Sequence, residues 1–486
     1  MAVAALVSCS KGGGYDSMYL GGNIMAVADK EAFFEPESPS GDRFDKISEN
    51  PFISASEQPV STFSVDADGA SYAYVRRCVL NGWKPSADAV RIEEFLNYFT
   101  FNYDDPLDGK DVALNAEVGQ CPWNEAHELL RIGIKGKSLP ASQVPLANFV
   151  FLIDISGSMS SEDKLPLLKT GLITMLDYMR PDDRIAIVTY ASGEKLLLSS
   201  TPVSEKAKIV AALKDLTARG ATAGSKAITM AYEEAQKNYI EGANNRIIMG
   251  TDGDFNVGVT STDALVEMVE SYADKGIYLT VCGFGMGNLN DAMMEKISNS
   301  GNGTYEYIDS ELEMTKVFVN ERSRFVTVAN DCKAQVTFSP ERVARYRLIG
   351  YENRVMSSED FENDKKDAAE IGSGQTITAL YEIEPVGDAT GSLGSLSFRY
   401  KKSLGSESLP LSLELPDFSS SVSPEYNFAA SLAAWGLYLR DSEYKGSASI
   451  ELARSLAESS LAGEGAFDPY DMRKDFVSLL NAADKL

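Results

Sequence analysis

Five consecutive apolar residues, Phe149-Val150-Phe151-Leu152-Ile153, run directly into Asp154-Ile155-Ser156-Gly157-Ser158-Met159. An unbroken run of aromatic and β-branched residues closed by a turn signal is the pattern of a strand buried on both faces. Such a strand sits inside a sheet with helices on either side, which restricts this part of the chain to an α/β layer architecture. Its end carries three oxygen-bearing side chains. Asp154, Ser156 and Ser158 are two apart, so a locally extended chain projects them to one side, and Gly157 lets the backbone bend between the serines. One carboxylate and two hydroxyls at the end of a buried strand are hard oxygen ligands of the kind that suit Mg²⁺.

The following residues keep to this architecture. Strand patterns at 149–153, 184–190, 195–199, 246–250, 277–282 and 304–308 are interleaved with helical patterns at 165–179, 205–216, 226–239, 264–275, 290–298 and 310–320. That alternation predicts a doubly wound, mostly parallel sheet, whose ligand crevice lies at the carboxyl ends of the strands. Asp154 stands at one such end and Asp252, after the apolar run 246–250, at another. Ahead of this unit a strand is expected at 61–65, helices at 71–80 and 87–101, and strands at 112–119 and 129–135. Behind it the period changes to two, predicting strands at 333–338, 344–348, 375–383, 393–400 and 409–413, before helices at 429–439, 447–458 and 471–483. The domain reading is a partial lipoprotein-type signal at 1–9, a flexible Gly- and Pro-interrupted tether at 10–55, an α+β region at 56–146, the α/β unit at 147–324 and a β-rich, then helical, region at 325–486. Strands on both sides of a self-contained unit suggest that the flanks form one body with the unit inserted. That arrangement requires contact between 112–135 and 333–413.

A formal charge of −26 argues against nucleic acid or an anionic membrane surface as an electrostatic partner. With His127 the single histidine, zinc sites built on several histidines are excluded. Membrane attachment is expected only through lipid: Leu6-Val7-Ser8-Cys9 resembles a bacterial lipobox, with Cys9 the lipidated residue, although only eight residues and no basic segment precede it. The expected location is therefore the bacterial cell envelope, lipid-anchored, on a periplasmic or surface face. The four remaining cysteines permit disulfides in an exported chain, with Cys121 and Cys332 the pair to check and Cys282 expected as a buried thiol.

Asp154-Ile155-Ser156-Gly157-Ser158 resembles the DxSxS signature of von Willebrand factor type A domains, whose metal-ion-dependent adhesion site binds a divalent cation. In that family a threonine and an aspartate from two further loops complete the site. Gly220-Ala221-Thr222-Ala223-Gly224 and Thr251-Asp252-Gly253 look like those loops, in the family's order. The resemblance extends from about residue 50 to 486. Ser61 to Asp66, Ala70-Ser71-Tyr72, Val90 to Glu94, Thr251 to Gly258 and Tyr346 to Arg354 are similar to a bacterial envelope lipoprotein family with a central type A domain and a C-terminal domain of unassigned function. It implies Mg²⁺ or Mn²⁺ held by Asp154, Ser156, Ser158, Thr222 and Asp252, with Asp254 behind them. It also implies a protein partner whose Asp or Glu carboxylate completes the coordination shell, and no catalysis. The alternatives are a metal-assisted hydrolase and an assembly or stress factor that partners an ATPase or secretion machine.

Other motifs fail on context. Ser161-Glu162-Asp163-Lys164 and Lys169-Thr170-Gly171 mimic a serine–lysine hydrolase signature but crowd into one predicted helix, and are read as its amphipathic start. Residues 220–227 miss the phosphate-loop pattern at Ser225 and Ala227. The turn at Asp66 and Asp68, the glycines at 283–287 and His127 are expected to be structural, and 428–439 a packed helix.

Overall fold

The computed structural model describes residues 41–65, 68–221, 226–253, 262–364, 366, 368–463 and 465–485, so Cys9, Thr222 and Asp254 lie outside the described residues. Order begins earlier than the tether reading expects. Asn50 donates to the carbonyls of Leu348 and Gly350, and β1 (Ile53–Ser54) pairs with a strand almost three hundred residues on. β2 (Val60–Ser64) and α1 (Ala70–Leu80) follow. The helix expected over 87–101 is interrupted. Ser71 Oγ accepts the Arg91 N–H (2.9 Å) and donates to the Ala89 carbonyl (2.6 Å), diverting two backbone groups that a helix needs. Only α2 (Ile92–Tyr98) remains α-helical, preceded by one 3₁₀ turn. β3 (Val112–Gln120) and β4 (Glu128–Gly136) then form an antiparallel pair.

The α/β unit begins with β5 (Ala147–Asp154), followed by α3 (Leu165–Met175), β6 (Arg184–Tyr190), β7 (Glu194–Pro202), α4 (Lys206–Lys214), α5 (Ala227–Lys237) and β8 (Asn244–Thr251). It continues through α6 (Thr262–Ala273), β9 (Ile277–Phe284), α7 (Asp291–Ser300), β10 (Tyr305–Ile308) and α8 (Glu311–Thr315). The sheet order is β10-β9-β8-β5-β6-β7, parallel except for the β6–β7 hairpin. Alternation along the central strand divides its side chains between two cores. Val150 and Leu152 pack on the side of α5, α6 and α7, whereas Phe149, Phe151 and Ile153 pack on the side of α3, α4 and α8. This is the doubly wound architecture expected.

β11 (Thr327–Phe338), β12 (Val343–Ile349), β13 (Val355–Met356), β14 (Ala369–Gly372), β15 (Thr376–Pro385), β16 (Gly394–Lys401) and β17 (Leu409–Leu415) complete two sheets begun before the α/β unit. Their orders are β1-β12-β15-β4-β3 and β13-β2-β11-β16-β17. The contact required between the flanks is present: β4 pairs with β15 from Lys135–Thr376 to Glu128–Ile383. Leu130, Ile132 and Ile134 of β4 share a core with Leu396, Phe398 and Tyr400 of β16, so the two sheets bury one interior. The α/β unit leaves this sandwich after β4 and returns at β11, at neighbouring points. A Cβ on Gly136 would stand 3.1 Å from the Val328 side chain.

α9 (Pro424–Leu439), α10 (Ile450–Ser460) and α11 (Met472–Ala483) close the chain. Phe428 of α9 meets Phe99 and Phe476 edge-on, and Trp435 meets Phe476 edge-on and Phe95 at a tilt; this cluster is continuous with one face of the α/β sheet. α9 is thus a packed helix, and among the described residues no helix is long and apolar enough to cross a membrane. A buried ion network joins α2 to α7. Arg91 bonds Glu94 (3.0 Å), Asp291 (2.7 Å) and Glu295 (3.1 Å), and Arg354 also reaches Glu295 (2.6 Å). The Cys121–Cys332 disulfide is not formed. Cys78, Cys121, Cys282 and Cys332 are free and buried, and Cys121 and Cys332 belong to different cores.

Candidate metal centre

The site is built where two neighbouring parallel strands end together. Ile153 of β5 is in register with Gly250 of β8, which places Asp154 beside Thr251 and one step from Asp252. Both carboxylates have no exposed surface. Asp154 Oδ1 accepts the Ser156 N–H at 2.8 Å, the Asx bond that turns the chain out of the strand. Thr251 Oγ1 lies 3.5 Å from its Oδ2, and Tyr190 stands opposite Asp154 on β6. Ser156 stays extended (φ −63°, ψ 163°), bringing its buried hydroxyl within 3.0 Å of the exposed Ser158 hydroxyl. The i, i+2, i+4 spacing read from the sequence therefore produces a convergent oxygen cluster.

Thr222 lies outside the described residues, but the edge of its loop is docked against this turn. Gly157 N donates to the Gly220 carbonyl (2.9 Å), and Arg219 N to the Ile155 carbonyl (2.7 Å). Gly220 adopts φ +84°, and a Cβ there would stand 2.5 Å from Ser192 Oγ, so a side chain at this position is strained.

Asp252 is held differently. Its Oδ2 accepts from Lys164 Nζ at 2.9 Å, and Ser158 also hydrogen-bonds to the carboxylate. Burial alone would raise its pKa, but the Lys164 and Ser158 contacts hold it below the usual carboxylate value. No lysine or arginine among the described residues pairs with Asp154. Burial, with the nearby Asp252 charge adding to it, pushes the Asp154 carboxyl up to about 6, against the hydrogen bonds from Ser156.

Lys164 is the residue that sequence reasoning misread. Its ammonium goes to Asp252, and Ser161 Oγ instead donates to Asp163 (2.5 Å). Lys169 caps carbonyls of Lys214 and Leu216, so the apparent serine–lysine motif has no hydrolase geometry. His127 is engaged by Glu382 at 2.6 Å, as a structural histidine would be. Asp68 accepts the Tyr305 N–H at 2.8 Å in the interior.

The donor chemistry fits a hard divalent cation. Among the described residues two buried carboxylates and two hydroxyls converge, one carboxylate has no lysine or arginine partner, and no sulfur or imidazole joins them. Among the described residues no group of three or more His, Cys, Asp or Glu could hold a metal. A cation here would therefore depend on neutral oxygens and water for much of its shell.

Comparison with known proteins gives the same architecture. The von Willebrand factor type A domain family matches residues 148–320, a family described as von Willebrand factor matches 38–131, and the C-terminal family of uncharacterized protein YfbK matches 323–392 and 388–486. Uncharacterized protein YfbK of Escherichia coli (strain K12) is 38% identical over 475 residues, covering 92% of this chain and 82% of its own. Inter-alpha-trypsin inhibitor heavy chain H3 of Mesocricetus auratus is 30% identical over 183 residues, 34% of this chain and 20% of its own length. The solved structure of a von Willebrand factor type A protein from Catenulispora acidiphila is 16% identical, covers 79% of this chain and 91% of its own, and has a TM-score of 0.44. Proteins with this domain generally mediate protein–protein interactions.

Proposed function

As a member of the YfbK family of von Willebrand factor type A proteins, the chain is one for which we propose a metal-dependent protein-binding role, adhesive or scaffolding, in the bacterial cell envelope. Asp154, Ser156, Ser158, Thr222 and Asp252 hold Mg²⁺ or Mn²⁺, directly or through water, with Asp254 behind them. A bound cation supplies an electrophilic position at which an Asp or Glu carboxylate of a partner protein replaces a water. The reading rests on one observation. Asp154 and Asp252 are both fully buried at the ends of adjacent parallel strands, beside two hydroxyls 3.0 Å apart, and one lysine is the only cation bonded to either among the described residues. Burying a charge without a partner is costly, and a divalent cation removes that cost.

Calorimetric titration of Mg²⁺ and Mn²⁺ into the chain, beside Ser156→Ala and Asp252→Ala, tests the site. Saturable binding in the wild type that weakens at least about tenfold in both variants is the expected result. Heats that do not differ between folded wild type and folded variants would reject it. For the anchor, metabolic palmitate labelling and fractionation should show labelled, membrane-associated protein, with Cys9→Ser unlabelled and released. A variant that fractionates and labels like the wild type would contradict a lipid on Cys9.

A further inference from the structure

We infer that Lys164 is a built-in counter-cation that weakens the site's hold on free metal and shifts its preference toward a carboxylate-bearing partner. This rests on the metal reading above and adds a residue outside the DxSxS turn and the two completing loops.

The lysine is placed with care. It is only 8% exposed, and its Nζ lies 2.9 Å from Asp252 Oδ2 and 3.4 Å from Asn288 Oδ1. Its stem runs through a channel opened by Gly285, where a Cβ would stand 2.1 Å from Lys164 Cε. Gly285 lies in the loop after β9, and that loop is fixed from outside. Asp42 Oδ1 accepts the N–H groups of Gly287 (2.7 Å) and Leu289 (2.9 Å), and Arg43 bridges to Asn290. The loop presses on Asp252 from the other side too, since a Cβ on Gly253 would fall 2.6 Å from the Asn288 carbonyl oxygen. A long cation threaded past a glycine onto one carboxylate of a two-carboxylate site is more than a surface ion pair.

Its consequence is a matter of charge. Two carboxylates would neutralise a divalent cation and leave nothing for an anionic partner to balance. With the Lys164 ammonium present, the cation, Asp154, Asp252 and Lys164 sum to one net positive charge, and a single carboxylate from a partner brings that sum to zero. Like charges in a partly dry site repel, so the lysine opposes the metal alone and favours metal with anion. Metal and carboxylate binding are then positively coupled, and reciprocally so.

The test compares wild type with Lys164→Met, which keeps the stem and removes the charge, Lys164→Arg, which keeps the charge, and Lys164→Gln as a second neutral variant. Mg²⁺ is titrated alone and then in acetate, and Mn²⁺ binding is followed by electron paramagnetic resonance. The neutral variants should bind Mg²⁺ alone about tenfold tighter or more, and acetate should strengthen Mg²⁺ binding less than in wild type. Lys164→Arg should resemble wild type. A lysine that merely props Asp252 in place predicts the opposite, weaker metal binding in both neutral variants, and that result or an unchanged affinity overturns the inference while leaving the metal site standing. Metal binding by neither wild type nor any folded variant overturns the metal reading and this inference together.

Discussion

Gly253 shows how finely the residues around the site are set. It follows Asp252 with φ +102°, and a Cβ would lie 2.6 Å from the Asn288 carbonyl oxygen and 2.7 Å from Leu289 Cα. Only glycine fits there, because an alanine meets both an unfavourable backbone region and the backbone of the facing loop. Gly253→Ala should destabilise the fold by about 1–3 kcal/mol in urea titration and weaken Mg²⁺ binding, by pushing Asp252 and the loop after β9 apart. Full stability in that variant would show that the loop yields. The contacts of Asp154 with Ser156 and of Ser156 with Ser158 are local, so their spacing in sequence is legible as geometry. Lys164 is bonded to a residue 88 positions away, and nothing in its own neighbourhood announces that partner.

At the scale of elements, the contact between α2 and α7 is electrostatic and should respond to pH. Burial pushes the Glu94 carboxyl up to about 8, with Arg91 pulling the other way. Glu93 is raised to about 7, and Asp291 is raised, both chiefly by burial. A carboxyl raised in the folded state keeps a proton that the unfolded chain has already released. From a little above pH 4 up to about pH 8, stability therefore falls as pH rises, and this contribution is fully present only below the unfolded pKa. Glu94→Gln should flatten the dependence of the melting temperature on pH between 5 and 8, whatever it does to the absolute value. An unaltered slope would assign the pH dependence elsewhere. The same region explains the broken helix. Local propensity favours continuity over 87–101, but one serine hydroxyl on α1 captures the backbone at Ala89 and Arg91.

For the whole molecule, the decisive feature is that one apolar core runs from α1, α2 and the three C-terminal helices onto the sheet face that carries Val150 and Leu152. The sandwich is likewise made of strands from both sides of the α/β unit. Neither part has a complete boundary of its own, so calorimetry should show one cooperative transition. Mg²⁺ should move that transition as a whole, because a ligand bound to the native state stabilises everything that unfolds with it. A separate early or late transition that alone responds to Mg²⁺ would show that the α/β unit unfolds independently.

The sequence by itself determined what depends on near neighbours. Period and apolar run length placed the strands and helices, the DxSxS spacing placed three oxygens together, and the alternation placed Asp154 and Asp252 at the same edge of one sheet. Tertiary structure alone decided what depends on contacts distant along the chain. It paired β4 with β15 and left Cys121 and Cys332 in separate cores. It also drew residues around Asp42 onto the loop behind the site and delivered the Lys164 ammonium to Asp252. The physical reason is the same in each case. Periodicity records which face of an element is apolar, but not which other element covers that face, and a charged side chain records its sign without naming the partner that burial will require.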